Sequence, residues 1–366
     1  MTGGPQRARP DLVELILVRL PLRRPFTTSF GTETVKEAIL VRASRDGAEG
    51  WGECVASAAP RYGSEWNGGA WIVLRDLLVP AALAGRPAGV KGHRMAAAAL
   101  EAALIDLDLR ARGESLSSFL GGERDRVPVG VSLGLEERPQ DLLDEAARFV
   151  AEGYRRIKLK IEPGRDAEVV RPVREAFPDV PLSVDANASY QPDDAAALAA
   201  LDPFDLEYLE QPLAADRLLG HADLQAKLAT PICLDETIRS AAVAEEAIRL
   251  GACKIINVKL GRVGGPLEAR RIHDMALGAG VPVWCGGMLE TGIGRATNLA
   301  LASLPGFTLP GDISGSERYF ARDLTEPFVV APDGTMAVPG GPGIGVSPIP
   351  ELLDAAVVTR ESVTAA

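Results

Sequence analysis

Histidine is nearly missing from this chain, with three in 366 residues: His93, His221 and His273. A mechanism built on imidazole acid–base pairs or histidine metal ligands has few carriers. His221 and His273 also fall in helix-like segments, where a structural role is expected. Cysteine is scarce too. Cys54, Cys233, Cys253 and Cys285 form no CxxC pair, and three of them fall in apolar runs. That excludes a disulfide framework and a thiolate metal site, and predicts buried free thiols in a reducing compartment. No apolar run reaches the roughly 18 residues that a membrane span needs. Positive charge is in deficit, with a formal net charge of −11 and the acids spread along the chain. A basic face for nucleic acid or anionic membrane is therefore lacking. The opening "MTGGPQRARP" holds no apolar signal-peptide core, so the expected location is the cytoplasm.

What is present is a globular composition, 46% hydrophobic and 24% charged, long enough for a barrel-sized domain and a smaller one. From about residue 127, short apolar runs alternate with amphipathic stretches. Strands are predicted at 127–133, 156–161, 181–186, 206–211, 231–236, 254–260, 282–287 and 307–312. Helices are predicted between them, among others at 139–152, 166–177, 240–250 and 266–279. Repeated βα units imply right-handed crossovers and a parallel sheet, and eight of them fit a closed barrel. The first 125 or so residues differ. "LVELILVRLPL" and "KEAILVRASRDGAEGWGECV" read as antiparallel strands, the latter turning at "RDGAEG", with helices following from about residue 69 to 112. After about residue 322 the chain is rich in Pro and Gly. "GGPGIGV" there only loosely resembles a phosphate loop, because no helix follows it.

Charged residues mark the ends of the predicted strands. Asp185, Glu210 and Asp235 each close an apolar run, 25 residues apart. One such acid can be a helix N-cap. Three at neighbouring strand ends would converge and repel, unless a cation held them. Oxygen-only ligands suit Mg²⁺. In "RIKLKI" the residues Lys158 and Lys160 share one side of a strand, and a solvated edge is the ordinary meaning of that pattern. A barrel strand covered by helices has no such edge, so both lysines are expected in an enclosed site. Lys259 in "INVKLGRVGG" falls on the opposite side of the acids. Desolvation and a nearby cation are expected to lower the lysines' pKa and make a neutral amine available as a base.

"KLK", "VDAN", "EQP", "DE" and "VKLGRVGG", in this order and spacing, resemble the enolase superfamily, in its muconate-lactonizing branch. "WCGGMLETGIGRA" and "FTLPGDIS" look like the o-succinylbenzoate synthase / N-acylamino acid racemase group. The resemblance spans nearly the whole chain. It implies an α/β fold, a modified TIM barrel (β/α)7β with an α+β cap: residues 1–125 as cap, 126–321 as barrel, and 322–366 returning to the cap. It implies Mg²⁺, with Mn²⁺ as a substitute, held by Asp185, Glu210 and Asp235. Lys160 matches a base on one face of the substrate, Lys259 the acid/base on the other, and Lys158 the lysine that touches the substrate carboxylate. Asn187 and Glu236 match supporting positions around the metal. Phe26 and Phe30, in the 24–34 stretch, are candidates for an aromatic wall, and 56–66 is a second selectivity loop. Glu290 and Arg295 are left open between site and structure. The implied partner is a small-molecule carboxylate, with no nucleic acid and no membrane, and a homo-oligomer is expected. Two departures matter. Asp312-Ile313-Ser314 lacks the Asp-x-Asp of dipeptide epimerases, and Lys259 stands where mandelate-racemase-like enzymes carry histidine. The expected reaction is o-succinylbenzoate synthesis on the menaquinone pathway, with N-acylamino acid racemisation as side activity or as the main role. Muconate cycloisomerisation and a non-catalytic barrel with a vestigial site are the remaining alternatives.

Overall fold

The computed structural model describes residues 9–28, 31–136 and 138–364. Its strands in chain order are β1 (Leu12–Thr28), β2 (Gly31–Arg45), β3 (Ala48–Cys54), β4 (Arg126–Pro128), β5 (Val131–Ser132), β6 (Ile157–Lys160), β7 (Leu182–Asp185), β8 (Leu209–Glu210), β9 (Ile232–Leu234), β10 (Ile255–Val258), β11 (Val283–Cys285), β12 (Thr335–Ala337) and β13 (Val357–Thr364). Strands β5 to β11 form one seven-stranded parallel sheet in sequential order. Helices lie between successive strands, among them Pro139–Ala151, Ala167–Ala176, Ala241–Leu250 and Pro266–Gly278, close to the predicted spans. The eighth predicted strand, 307–312, is no regular strand. It joins the sheet through isolated bridges, Phe307 to Val283 of β11 and Gly311 to Val129 just before β5. Those two bridges link the first and last strands. Pro305 and Pro310 break the run, which explains why pairing there is intermittent.

The second sheet is antiparallel, in the order β13-β1-β2-β3. The β2–β3 hairpin turns at Asp46 and Gly47, both with positive φ (51° and 78°), the backbone that a two-residue hairpin turn requires. Helix Arg94–Arg112 lies directly on β3. A Cβ at Gly52 would stand 2.0 Å from the Ala99 carbonyl oxygen, so only glycine permits that approach. The "GGPGIGV" stretch closes around this helix: buried Asp106 accepts the Ile344 and Trp51 N–H groups and the Arg110 guanidinium. It is a structural clasp. β12 pairs with β4 at the foot of the barrel before the chain reaches β13. Among the described residues, no helix is long and apolar enough to cross a membrane.

The two units meet at Glu53, the penultimate residue of β3. Its carboxylate accepts the Thr291 N–H and hydroxyl and the Gly294 N–H, and so caps helix Gly292–Ala302 of the barrel from the other unit. Burial pushes the Glu53 carboxyl up to about 6, against the Thr291 hydrogen bond and the Lys36 charge.

Candidate active site

Strand register sets the row of charges. Lys160 of β6 is level with Asp185 of β7, and Asp185 with Glu210 of β8. Glu210 is level with Cys233, so Asp235 lies two residues further along β9. Asn257 of β10 continues the level of Asp235, and Lys259 is again two residues further. The row therefore climbs around the barrel, as tilted, sheared strands require. Ile157, Leu159 and Ile161 are buried in the core while Lys158 and Lys160, 3% and 8% exposed, point to the enclosed side. The strand is covered on both faces, so the lysine pair has no solvated edge.

Each cation of the row meets an acid. Lys160 Nζ lies 2.6 Å from Asp185 and 2.5 Å from Asn187 Oδ1. Lys158 Nζ lies 2.6 Å from Glu210, 2.7 Å from Asp312 and 3.4 Å from Asp185, over the Trp284 ring. Lys259 Nζ lies 2.7 Å from Asp235 and 3.3 Å from the Tyr62 hydroxyl. Asn187 also donates to Glu236, at 3.3 Å. A cavity of about 550 Å³ opens above the row. Lys158, Lys160, Asp185, Asn187, Lys259 and Asp312 line it from the barrel. Phe26, residues 31–37, Ser57–Ala59, Arg61 and Tyr62 line it from the antiparallel sheet and its loops. Phe26 stands edge-on to Tyr319. Phe30 lies outside the described residues.

The expected lowering of lysine pKa is reversed at two positions. Burial pulls Lys158 down, but Asp312, Glu210 and Asp185 outweigh it and hold the ammonium well above its usual range. Burial likewise lowers Lys259, and Tyr62, Glu236 and Glu210 raise it further than that. Asp185 is held down to about 2: burial raises it, and Lys160 and Lys158 overcome that. Glu236 shows the opposite balance. Burial pushes it up, Lys259 offsets part, and Asp185 and Glu210 add to the rise. Sequence reasoning weighed desolvation and a nearby cation, whereas here it is the carboxylates around Lys158 and the Tyr62, Glu236 and Glu210 groups around Lys259 that prevail.

The donor set can be tested against a divalent cation. Asp185, Glu210 and Asp235 are buried carboxylates with no nitrogen or sulfur donor among them, which is the chemistry that Mg²⁺ prefers. Glu236 Oε2 is buried without a hydrogen-bond partner among the described residues, and the charges of Asp185 and Glu210 add to the rise that burial causes in its pKa. The chemistry fits. Among the described residues, no three acid, imidazole or thiol groups form a ready cage, because ammonium groups stand against the carboxylates.

Several contributors were missed in the sequence. Arg262 donates to Asp235, to the Ile238 and Asn257 carbonyls and to Tyr62, so it locks the end of β9 to β10. Gln211, with φ of 39°, accepts the Asp235 and Thr237 N–H groups and donates to Thr237 Oγ1, which staples the ends of β8 and β9. Asp312, read only as half of a missing pair, joins Lys158 to the fully buried Arg156. Gly286 leaves room for the Lys259 stem: a Cβ there would be 2.8 Å from Lys259 Cγ. Glu290 and Arg295 are not among the residues lining the cavity: Glu290 accepts the Met288 N–H and Arg295 donates to the Ser314 and Glu290 carbonyls. His221 and His273 are structural as expected, each accepting a backbone N–H, from Leu213 and from Gly306.

Comparison with known proteins adds the lineage. The family model for the mandelate racemase / muconate lactonizing enzyme N-terminal domain matches residues 12–121, and the enolase C-terminal domain-like model matches 141–352. The chain is 56% identical to an N-succinylamino acid racemase of Amycolatopsis sp., over 93% of this chain and 96% of that one. It is 51% identical to an o-succinylbenzoate synthase of Geobacillus stearothermophilus, over 91% and 92%. A solved enolase-superfamily member from Listeria innocua is 38% identical, with a TM-score of 0.93, covering 97% of this chain and 99% of its own.

Proposed function

Because this chain belongs to the enolase superfamily, in the mandelate racemase / muconate lactonizing enzyme family, we propose that it is an o-succinylbenzoate synthase with N-acylamino acid racemase activity. The synthase reaction is the syn dehydration of 2-succinyl-6-hydroxy-2,4-cyclohexadiene-1-carboxylate, a step toward menaquinone. The observation that carries this reading is the pair of lysines, Lys160 and Lys259, at the two ends of one row of carboxylates beneath one cavity. Relatives named for each reaction, at 51% and 56% identity, support both. The racemase as the physiological role is the second reading, favoured by a lysine rather than an inert group at each end.

Asp185, Glu210 and Asp235 would hold Mg²⁺, the superfamily's metal, with Mn²⁺ as a substitute. A bound divalent cation supplies positive charge to the substrate carboxylate while the adjacent carbon loses its proton. Lys158 steers that carboxylate. Lys160, once neutral, takes the α-proton, and the C–H electron pair moves into an enolate. In dehydration the C–O bond then breaks, and Lys160 returns the proton to the departing hydroxide as water. Lys259 stays cationic beside the enolate. In racemisation Lys259 donates its own proton to the opposite face, and the roles reverse for the other enantiomer. Asn187 and Glu236 orient Lys160 and the acids, in keeping with the Asn187 bridge between them. Phe26 contributes an apolar wall. The working division is a cap at 1–125, a barrel at 126–321 and a returning segment at 322–366, in a cytoplasmic homo-oligomer; light scattering checks the assembly. Parallel kinetics on the dehydration substrate and on N-succinylamino acids, with Mg²⁺ and with EDTA, test the reaction. Absence of Mg²⁺-dependent turnover on both would refute it.

A further inference from the structure

Lys36, in β2, is 3% exposed and lines the cavity on the wall opposite the barrel row. Its ammonium donates to two backbone carbonyls, Met288 at 3.0 Å and Val55 at 3.4 Å, and to no carboxylate among the described residues. Two carbonyls engage two of its three N–H groups. The charge of Glu53 acts on Lys36 through space, but that carboxylate is hydrogen-bonded to the helix that it caps and forms no ion pair with Lys36 among the described residues. Burying a cation without a directly paired anion is costly, and a ligand anion would lower that cost. Arg61 lines the same wall, exposed and without an ion pair among the described residues. Arg19, also there, is neutralised by Glu37. Glu33 also lines this wall, whose lining side chains thus carry three cations, Arg19, Lys36 and Arg61, against two acids, Glu33 and Glu37.

We propose that Lys36, assisted by Arg61, is the subsite for a second carboxylate of the substrate, the terminal carboxylate of a succinyl arm. The inference rests on the reading of the site given above. It makes the preferred substrates dicarboxylates: one carboxylate lies at the barrel row and the other at the wall of the antiparallel unit. A substrate ending in a neutral acyl group would leave the Lys36 ammonium unanswered.

Calorimetric titration of N-succinylglycine and N-succinamoylglycine into Mg²⁺-containing protein tests this, because the two ligands differ in one terminal charge and neither has to react. Wild type is expected to prefer the succinyl ligand by at least about tenfold, and Lys36→Met to bring the two within about twofold. Lys36→Arg should keep the preference, and Arg61→Leu, at an exposed position, should lower it in part. Equal binding by wild type overturns the proposal, as does a preference that survives in Lys36→Met. Damage to the fold in Lys36→Met would weaken both ligands together. If that variant binds neither, an unchanged preference in Arg61→Leu is the overturning result and a reduced one the supporting result. A wild type that prefers the succinyl ligand but turns over neither substrate would instead overturn the reaction assignment alone.

Discussion

The two lysines at the ends of the carboxylate row are held differently. Lys160 is tied to barrel residues, Asp185 and Asn187. Lys259 is tied to the barrel through Asp235 and to the opposite unit through Tyr62, whose ring also lies 4.7 Å from the ammonium. One face of the site is thus made by the barrel, while the other is shared with the antiparallel unit whose loops line the cavity. A reaction needing only the Lys160 face should tolerate change in that unit, and one needing proton transfer on both faces should not.

The most severe way to break the comparison is Lys160→Ala. In the proposed mechanism both reactions begin at this lysine, so both are expected to fall by at least about a hundredfold. More than a few per cent of wild-type dehydration in the variant would remove Lys160 from the role of base. Asp235→Asn comes next. It takes an anion from the row and leaves Lys259 and Arg262 facing a neutral amide, so Mg²⁺ affinity should drop markedly in a calorimetric titration; equal affinity and activity would place the metal elsewhere. Lys259→Arg separates the faces. Arginine keeps the positive charge and does not deprotonate in this range. Some dehydration should remain while racemisation nearly vanishes. In D₂O the enantiomer whose proton faces Lys160 should still exchange, and the other should not. Exchange lost equally for both, with dehydration intact, would defeat the opposite-face arrangement.

Tyr62→Phe sharpens the contrast more gently. It keeps the ring beside Lys259 and removes the hydroxyl shared with Arg262. Racemisation should fall several-fold and dehydration less, and an equal fall would show that Tyr62 serves both faces alike. The smallest effect concerns the scaffold. Burial pulls His221 down to about 4, against the Arg217 and Leu213 backbone bonds that raise it. A depressed pKa means that the folded form holds the neutral ring, so stability is complete above the ordinary 6.5 and is lost as pH falls from there toward about 4. At pH 5 the loss is about 2 kcal/mol. Urea midpoints at pH 7.5 and pH 5 should separate in wild type more than in His221→Gln, and parallel shifts would acquit the histidine.

The barrel and its row of acids were legible because both follow from spacing along the chain. A strand–helix repeat fixes where strands end, and Asp185, Glu210 and Asp235 stand at three successive ends. The helices at 139–151 and 266–278 were read to within a residue because proline marks their starts. Residues that act across units left no such trace. Tyr62 reaches Lys259 over 197 positions of sequence and Glu53 caps a helix 238 positions away. No local pattern announces such contacts. The acids around Lys158 were undercounted for the same reason, since they include Asp312, 154 residues further on. The irregular 307–312 segment looked like a strand by composition, and only its intermittent bridges reveal otherwise.

One strand carries a consequence for how the molecule comes into being. β13, Val357–Thr364, pairs with β1 along Leu12 to Val18. A ribosome delivers β1 first and β13 only after every barrel strand has been translated. Until then β1 has a bare edge, and the wall holding Lys36 and Tyr62 lacks its outer neighbour. The nascent chain can therefore shape its barrel while the opposite wall of the cavity is still incomplete, and a stall shortly before residue 357 would leave a strand edge open to pairing with other chains.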